Sequence, residues 1–215
     1  MKNTIVYIDG YNFFYSIKNH WLENKADNDI CLAWCDFARL VVEQIFADRK
    51  GYRLAKIRYF TAKVPSNPKY SREKEAQKVW LEALSAMPNL EIHYGFFTQK
   101  TKYPKERQEK QTDVNIAVEM ITDSFEADCT HAILITNDAD LQPAAEKIIK
   151  KMSFEIWVPP FVDKNAAWRS FCKKHKLPYH QVSREMLFAS RLPEQVSTSD
   201  GSVECPKYWR RKCLP

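Results

Sequence analysis

At 215 residues, 45% of them hydrophobic, the chain fits one domain with a substantial core and a short tail. Its net charge of +6 is uneven: residues 49–112 carry 15 Lys and Arg against 6 Asp and Glu, which favours a polyanionic partner over a merely solvated face. No apolar stretch approaches membrane-spanning length, the six cysteines form no CxxC pair, and only 4 glycines are present. A membrane-spanning protein, a zinc knuckle and a Gly-rich phosphate cradle are therefore set aside.

The β-branched run NTIVYI (3–8) predicts a buried strand that stops at Asp9-Gly10. YNFFYSIKNH then reads as a helix, with Tyr11, Phe13, Phe14 and Tyr15 as core because they follow a central strand. After the polar loop WLENKADND, residues 34–48 place Phe37, Leu40, Val41, Ile45 and Phe46 at helical spacing, and Gly51 ends that helix. RLAKIRYFTAKV (53–64) reads as a second strand, and Pro65 and Pro68 mark a turn. The next helix, 71–87, has an apolar stripe at Val79, Trp80, Ala83 and Leu84, and LEIHYGFF (90–97) is a third strand.

Residues 98–111, TQKTKYPKERQEKQ, read as a polar loop, and a loop of that length inside a compact domain is commonly functional. Val114, Ala117, Val118, Ile121 and Phe125 then fall at helical spacing, giving a helix with one apolar face. HAILIT (131–136) is a fourth strand, PAAEKIIKK a helix with Pro143 early in it, and FEIWVP (154–159) a fifth strand. NAAWRSFCKKH is a further helix and YHQV a short edge strand. Trp80, Trp157 and Trp168 read as core. The domain thus spans 1–188, followed by a polar tail, 189–215, whose Tyr208 and Trp209 suit packing back on the domain.

Alternating strands and helices specify an α/β protein with a mostly parallel central sheet and helices on both faces. Ligands of such sheets bind outside the carboxyl ends of the strands, where strand order reverses. Asp9 ends the first strand, and Asp138 and Asp140 follow the fourth. If those strands are neighbours, three carboxylates share one crevice, which Asp113, opening the preceding helix, reaches from the side. Crowded carboxylates raise one another's pKa, and a hard dication such as Mg²⁺, bound through oxygen and substrate phosphate, relieves the conflict. Each acid has a plainer reading: a turn at Asp9-Gly10, and helix caps at Asp113 and Asp140. Cys172, His175 and His180 fall short of a four-ligand zinc site. MKNTIVYIDGYNFFY lacks signal-peptide features, so a cytoplasmic protein with reduced thiols is expected.

The segments YIDGYNFFY, EKQTDVNIAVEMITDSF and AILITNDADLQPAAEKI, in this order, resemble the NYN domain, the LabA-like branch of the PIN-like nuclease superfamily. RYFTAKV, NLEIHYGFF and the closing LPEQV…CPKYW are similar too, so the likeness covers nearly the whole chain. The resemblance implies a three-layer α/β/α PIN-like (Rossmannoid) fold and an endoribonuclease dependent on Mg²⁺ or Mn²⁺. Its acidic site falls on Asp9, Asp113, Asp138 and Asp140. The family's asparagine falls on Asn12, whose amide is placed to bond Asp9 or a substrate phosphate. Asn137, Ala139 and Leu141 depart from the family's Gly, Ser and aromatic residue around the last two aspartates. Glu119, on the far side of its helix from Asp113, reads as supporting or structural.

Lys100, Lys102, Lys105, Arg107 and Lys110 precede Asp113, and Lys63, Lys69 and Arg72 follow the second strand. Both segments are expected to rim the crevice and hold an RNA backbone. Tyr70 and Tyr103 among them suit stacking on unpaired bases, hence single-stranded RNA. Two other functions stay open: an RNA-binding module with a vestigial metal site, and a nucleotide phosphohydrolase with the long loop as a lid. No membrane partner is expected, and a homo-oligomer is compatible with the sequence.

Overall fold

The structure, a computed structural model, describes residues 1–24, 29–65, 70–100, 103–126, 128–163, 165–207 and 209–210, without the side chains of 98–100, 103–109 and 126. Six strands form a parallel sheet: β1 (Lys2–Asp9), β2 (Tyr52–Ala62), β3 (Leu90–Lys100), β5 (His131–Ile135), β6 (Ser153–Val158) and β7 (Tyr179–Gln181). A seventh, β4 (Tyr103–Lys110), runs antiparallel on the edge, giving the order β4-β3-β2-β1-β5-β6-β7. Strand order reverses between β1 and β5, which are hydrogen-bonded neighbours with Ile8 opposite Ile135. That register brings Asp9 and the residues after Ile135 to the same end of the sheet.

Alternate residues of β1 serve two cores. Val6 and Ile8 face α1 (Gly10–Glu23), α2 (Phe37–Arg39, continued as a π-helix over Leu40–Ile45) and α3 (Ser71–Ser85). α7 (Arg184–Ala189) adds Leu187 on that side. Ile5 and Tyr7 face α4 (Thr112–Glu126), α5 (Gln142–Ile148) and α6 (Ala166–His175). This is the expected α/β fold, with helices on both faces of a mostly parallel sheet.

Four expectations are corrected. Residues 103–110 are a strand and not a loop: paired on one side only, a sheet edge tolerates a charged sequence such as KERQEK. α4 buries only part of its apolar stripe, Ala117 and Ile121 packing against the core. Val114, Val118 and Phe125 are 61, 54 and 68% exposed, while Ile116, Met120 and Asp123 are buried. The reason is a polar requirement inside the domain: Arg58 of β2 donates to both Asp123 oxygens at 2.7 and 2.8 Å, and Tyr7 Oη donates to the same carboxylate at 2.8 Å. Those bonds turn the helix so that Asp123 faces the sheet. Glu119 also pairs with Arg58, at 2.9 Å, which makes it part of this structural network. The thiols are not uniformly reduced: Cys35, Cys129, Cys172 and Cys205 are free, but Cys31 is disulfide-bonded.

Fourth, among the four aromatics after Asp9 only Phe13 is buried; Tyr11, Phe14 and Tyr15 are half-buried. Trp80, Trp157 and Trp168 are buried as expected. Beyond α7, β8 (Gln195–Thr198) and β9 (Gly201–Glu204) form a hairpin. Trp209, 2% exposed, packs its ring 5.7 Å from Phe14 and 6.1 Å from Trp80.

Candidate functional site

Asp9 is the last residue of β1 and the N-cap of α1, and its side chain is almost fully buried. Oδ1 accepts from the Asn12 backbone N–H at 2.9 Å, and Oδ2 accepts from the Thr136 hydroxyl at 2.9 Å. Gly10 follows because no side chain fits there: a Cβ would sit 2.6 Å from the Phe60 carbonyl oxygen and collide with the Tyr59 ring. Asp9 is thus a helix cap and not the ordinary turn of its plainer reading, and where a cap is normally solvated this one is not. Burial pushes its pKa up, and the charges of Asp113 and Asp138 push it further. The two hydrogen bonds oppose them, leaving it at about 7.

Thr136 joins the two strand ends. Its hydroxyl donates to Asp9 and accepts from the Asp138 backbone N–H at 3.0 Å. Asp138 caps a 3-10 turn (Ala139–Leu141) by accepting from the Asp140 N–H at 2.9 Å. The 136–140 segment is fastened from both sides. Asn12 Oδ1 accepts from the Asn137 N–H at 2.9 Å. Asn165 Nδ2 donates to the Asn137 carbonyl at 2.9 Å, and Trp168 Nε1 to the Asp138 carbonyl at 2.9 Å. The Asn12 carbonyl oxygen thus fixes the neighbouring loop, while its backbone N–H bonds Asp9.

The structure brings Asp113 and Asp138 within electrostatic reach of Asp9. Asp113 lies exposed in the first turn of α4, and Asp138 is half-buried. Asp140 is exposed on the 3-10 turn, and its charge is not one of those that chiefly act on Asp9. Among the described residues, no three acid, His or Cys side chains close on one point as a metal-binding set. The donor chemistry still fits a hard dication. All the acids here are oxygen donors, and the most buried of them is pushed towards neutrality by burial first and by its acidic neighbours second, which a cation beside it would offset.

Of the predicted backbone-holding cations, Lys63 and Arg72 are exposed, with Lys63 Nζ 4.4 Å from the Tyr94 ring centroid. Lys110 is exposed at the end of β4. Lys69 and Lys102 lie outside the described residues. Lys100, Lys105 and Arg107 are placed on β3 and β4 by their backbone, and their side chains, like that of Tyr103, lie outside the described set. Tyr70 is half-buried just before α3.

A cavity of about 400 Å³ opens between α1 and α3 beside the end of β2. Gly10, Tyr11, Tyr15, Tyr59, Phe97 and Trp209 help to line it, and Lys18, Arg72 and Glu73 add charge. Neither this cavity nor Thr136 and Asn165 stood out in the sequence, and Trp168 was read as core without its bond to the Asp138 carbonyl. A hydroxyl at the end of the apolar run HAILI was the one available sign of Thr136.

The NYN domain family model matches residues 3–175. A protein named 6-hydroxy-3-succinoylpyridine 3-monooxygenase HspA, from Pseudomonas putida, is 28% identical, the match covering 96% of this chain and 75% of that one. A crystal structure of a protein of unknown function, VPA0982 from Vibrio parahaemolyticus, superposes with a TM-score of 0.50 at 13% identity. That match covers 85% of this chain and 92% of the other, and it shows a shared fold.

Proposed function

The chain belongs to the NYN domain family, and from that premise we propose that it is a metal-dependent endoribonuclease acting on single-stranded RNA. The observation that carries the reading is Asp9: a buried carboxylate at the switch point, raised to about 7, with two further aspartates acting on it. Buried acids with displaced pKa values in a cleft mark sites where charge is to be handled.

Asp9 and Asp138 would hold the ion, Mg²⁺ or Mn²⁺, with Asp113 and Asp140 completing or outlying the set. Such an ion, when bound, lowers the pKa of water and offsets charge building on a phosphodiester. The chain's own residues do the positioning. Thr136 and the Asn12 N–H hold both oxygens of Asp9 in place, the Asn12–Asn137 bond ties the second strand end to the first, and Trp168 of α6 holds the Asp138 carbonyl. Lys63, Arg72 and Lys110, with the cations of the β3–β4 hairpin, hold the RNA backbone. Water and not the 2′-hydroxyl is the nucleophile, so the products carry 5′-phosphate and 3′-hydroxyl ends.

Cleavage of end-labelled single-stranded RNA in Mg²⁺, Mn²⁺ or EDTA, comparing wild type with Asp138→Asn, tests the reading. Metal-dependent cutting by wild type alone supports it. Equal cutting by both proteins, or 2′,3′-cyclic phosphate products, overturns it. RNA binding that survives EDTA with no cleavage under any metal identifies a binding module, and hydrolysis of free nucleotides alone identifies a phosphohydrolase.

A second reading is favoured by one observation, the relative named as a monooxygenase of a hydroxypyridine together with the aromatic cavity beside Asp9. On it, the chain acts on a small heteroaromatic acid, using dioxygen and an external reductant. Incubating the protein with 6-hydroxy-3-succinoylpyridine, air and NADH, and following loss of both compounds, decides it. No consumption above the protein-free control removes this reading.

A further inference from the structure

We infer that the cavity between α1 and α3 is a binding site for a flat heteroaromatic ring bearing an anionic group, seated there as the base of a nucleotide next to the phosphodiester at Asp9. The choice of a nucleotide as the source of the ring rests on the nuclease reading above; the cavity's preference for a ring does not.

Three observations converge. The walls are aromatic and incompletely covered. Tyr11, Tyr15 and Phe97 are each half-buried, with the Tyr11 and Tyr15 rings 4.3 Å apart and Tyr11 6.3 Å from Phe97. Apolar surface left wet in this way gains from a ring that displaces the water, and a cavity of about 400 Å³ is in the size range of small-ligand sites. Cations line the same cavity. Lys18 Nζ stands 5.1 Å from the Tyr15 ring centroid and 3.4 Å from Glu73, and Arg72 is exposed one residue away from Glu73. They suit a phosphate attached to the ring.

The third observation is continuity with the acid. Gly10 and Tyr11, which line the cavity, follow Asp9 directly in the chain. Tyr59 lines it from β2, where it pairs in register with Ile8, the residue before Asp9. A ring held against Tyr11 and Tyr59 thus lies next to the turn that carries Asp9. The frame is rigid: Gln77 of α3 accepts from the Val64 N–H at 2.7 Å and donates to the Ala62 carbonyl at 2.9 Å, locking α3 to the end of β2. Base stacking on aromatic side chains is tolerant of sequence, so the site predicts broad base preference.

The test uses the full chain carrying Asp9→Asn, titrated with adenosine and uridine 5′-monophosphate and with ribose 5-phosphate, and read by fluorescence of the tryptophans that line the cavity. Expected are saturable quenching by both nucleotides, none by ribose 5-phosphate, and roughly tenfold weaker binding in Tyr11→Ala and Phe97→Ala. Tyr11→Phe, which keeps the ring, restores tight binding and shows that the loss is not misfolding. Nucleotide binding unchanged in both alanine variants, or equal binding of ribose 5-phosphate, overturns the site. A pyridine carboxylate that binds tenfold more tightly than either nucleotide overturns the nucleobase assignment. If the nucleotides bind in a Tyr11-dependent way while wild type cuts no RNA, the ring site stands and the nuclease reading falls. If wild type cuts RNA and Tyr11→Ala leaves its KM unchanged, the nuclease reading stands and the ring site falls.

Discussion

Two carboxylates buried in the same sheet, Asp9 and Glu155, differ in what surrounds them. Asp9 sits at the carboxyl end of β1 among other acids, and burial with the Asp113 and Asp138 charges lifts it to about 7. Glu155, in β6 towards the opposite end, is equally enclosed. There, burial also pushes upward, but the His131 imidazole, 3.3 Å away, and two hydrogen bonds from Arg49 at 2.6 and 2.8 Å outweigh it and hold the acid at about 2. The same residue chemistry thus gives a satisfied structural ion pair at one end and an unneutralised charge at the other. Burial alone does not mark a functional acid; the sign of its neighbours does.

Substitution should separate the two sites most sharply at Glu155. Glu155→Gln leaves Arg49 and His131 beside a neutral amide, and a loss of about 3–5 kcal/mol in urea unfolding is expected, with RNA cleavage per folded molecule unchanged. Asp9→Asn has the opposite profile. Cleavage falls by roughly 10²–10³, while the metal-free protein becomes more stable at neutral and higher pH.

The sign follows from the shift. The Asp9 pKa rises from 3.8 to about 7 on folding, so between those values the folded state holds the extra proton. Wild-type stability from this group therefore falls as pH rises from about 4 to 7, and the Asp9→Asn gain grows over that window. Glu155 behaves inversely: its contribution is full above pH 4.5 and is lost as pH falls towards 2. Urea unfolding of both variants against pH checks the pair, and parallel profiles would erase the contrast.

Smaller changes probe the supports. Thr136→Val removes the hydroxyl shared by Asp9 and the Asp138 N–H, for a loss of about 1–3 kcal/mol in stability and roughly 10–100-fold in metal-dependent cleavage. Isothermal titration with Mn²⁺ should show the weakened affinity directly. His180→Ala removes an outlying partner of Glu155, 3.9 Å away and 38% exposed, and should change stability by about 0–1 kcal/mol. A larger effect would mean that Glu155 depends on a wider set of cations than its close contacts show.

Sequence reasoning carried some parts of this molecule and missed others for physical reasons. Strands such as NTIVYI and HAILI announce themselves because both faces of a parallel strand are buried, leaving continuous apolar runs. The position of Asp9 and Asp138 at one end of the sheet followed from strand alternation, since the switch-point rule needs only topology. The face of α4 was misread because its apolar period favours Val114, Val118 and Phe125, and local pattern cannot register that Arg58, over fifty residues earlier, needs Asp123. Residues 103–110 were misread because a charged edge strand has no apolar alternation to report.

What the sequence by itself determined is the layered α/β plan and the placing of Asp9 and Asp138 just past the ends of their strands, because both rest on patterns internal to each segment. Only the tertiary structure decided that β1 and β5 would be neighbours, that Asp9 would lie out of water among like charges while Glu155 found Arg49 and His131, and that aromatic rings of α1, β2 and β3 would line a cavity reaching Gly10. Those outcomes depend on which distant side chains meet in a region of low dielectric, and no single stretch of chain encodes that meeting.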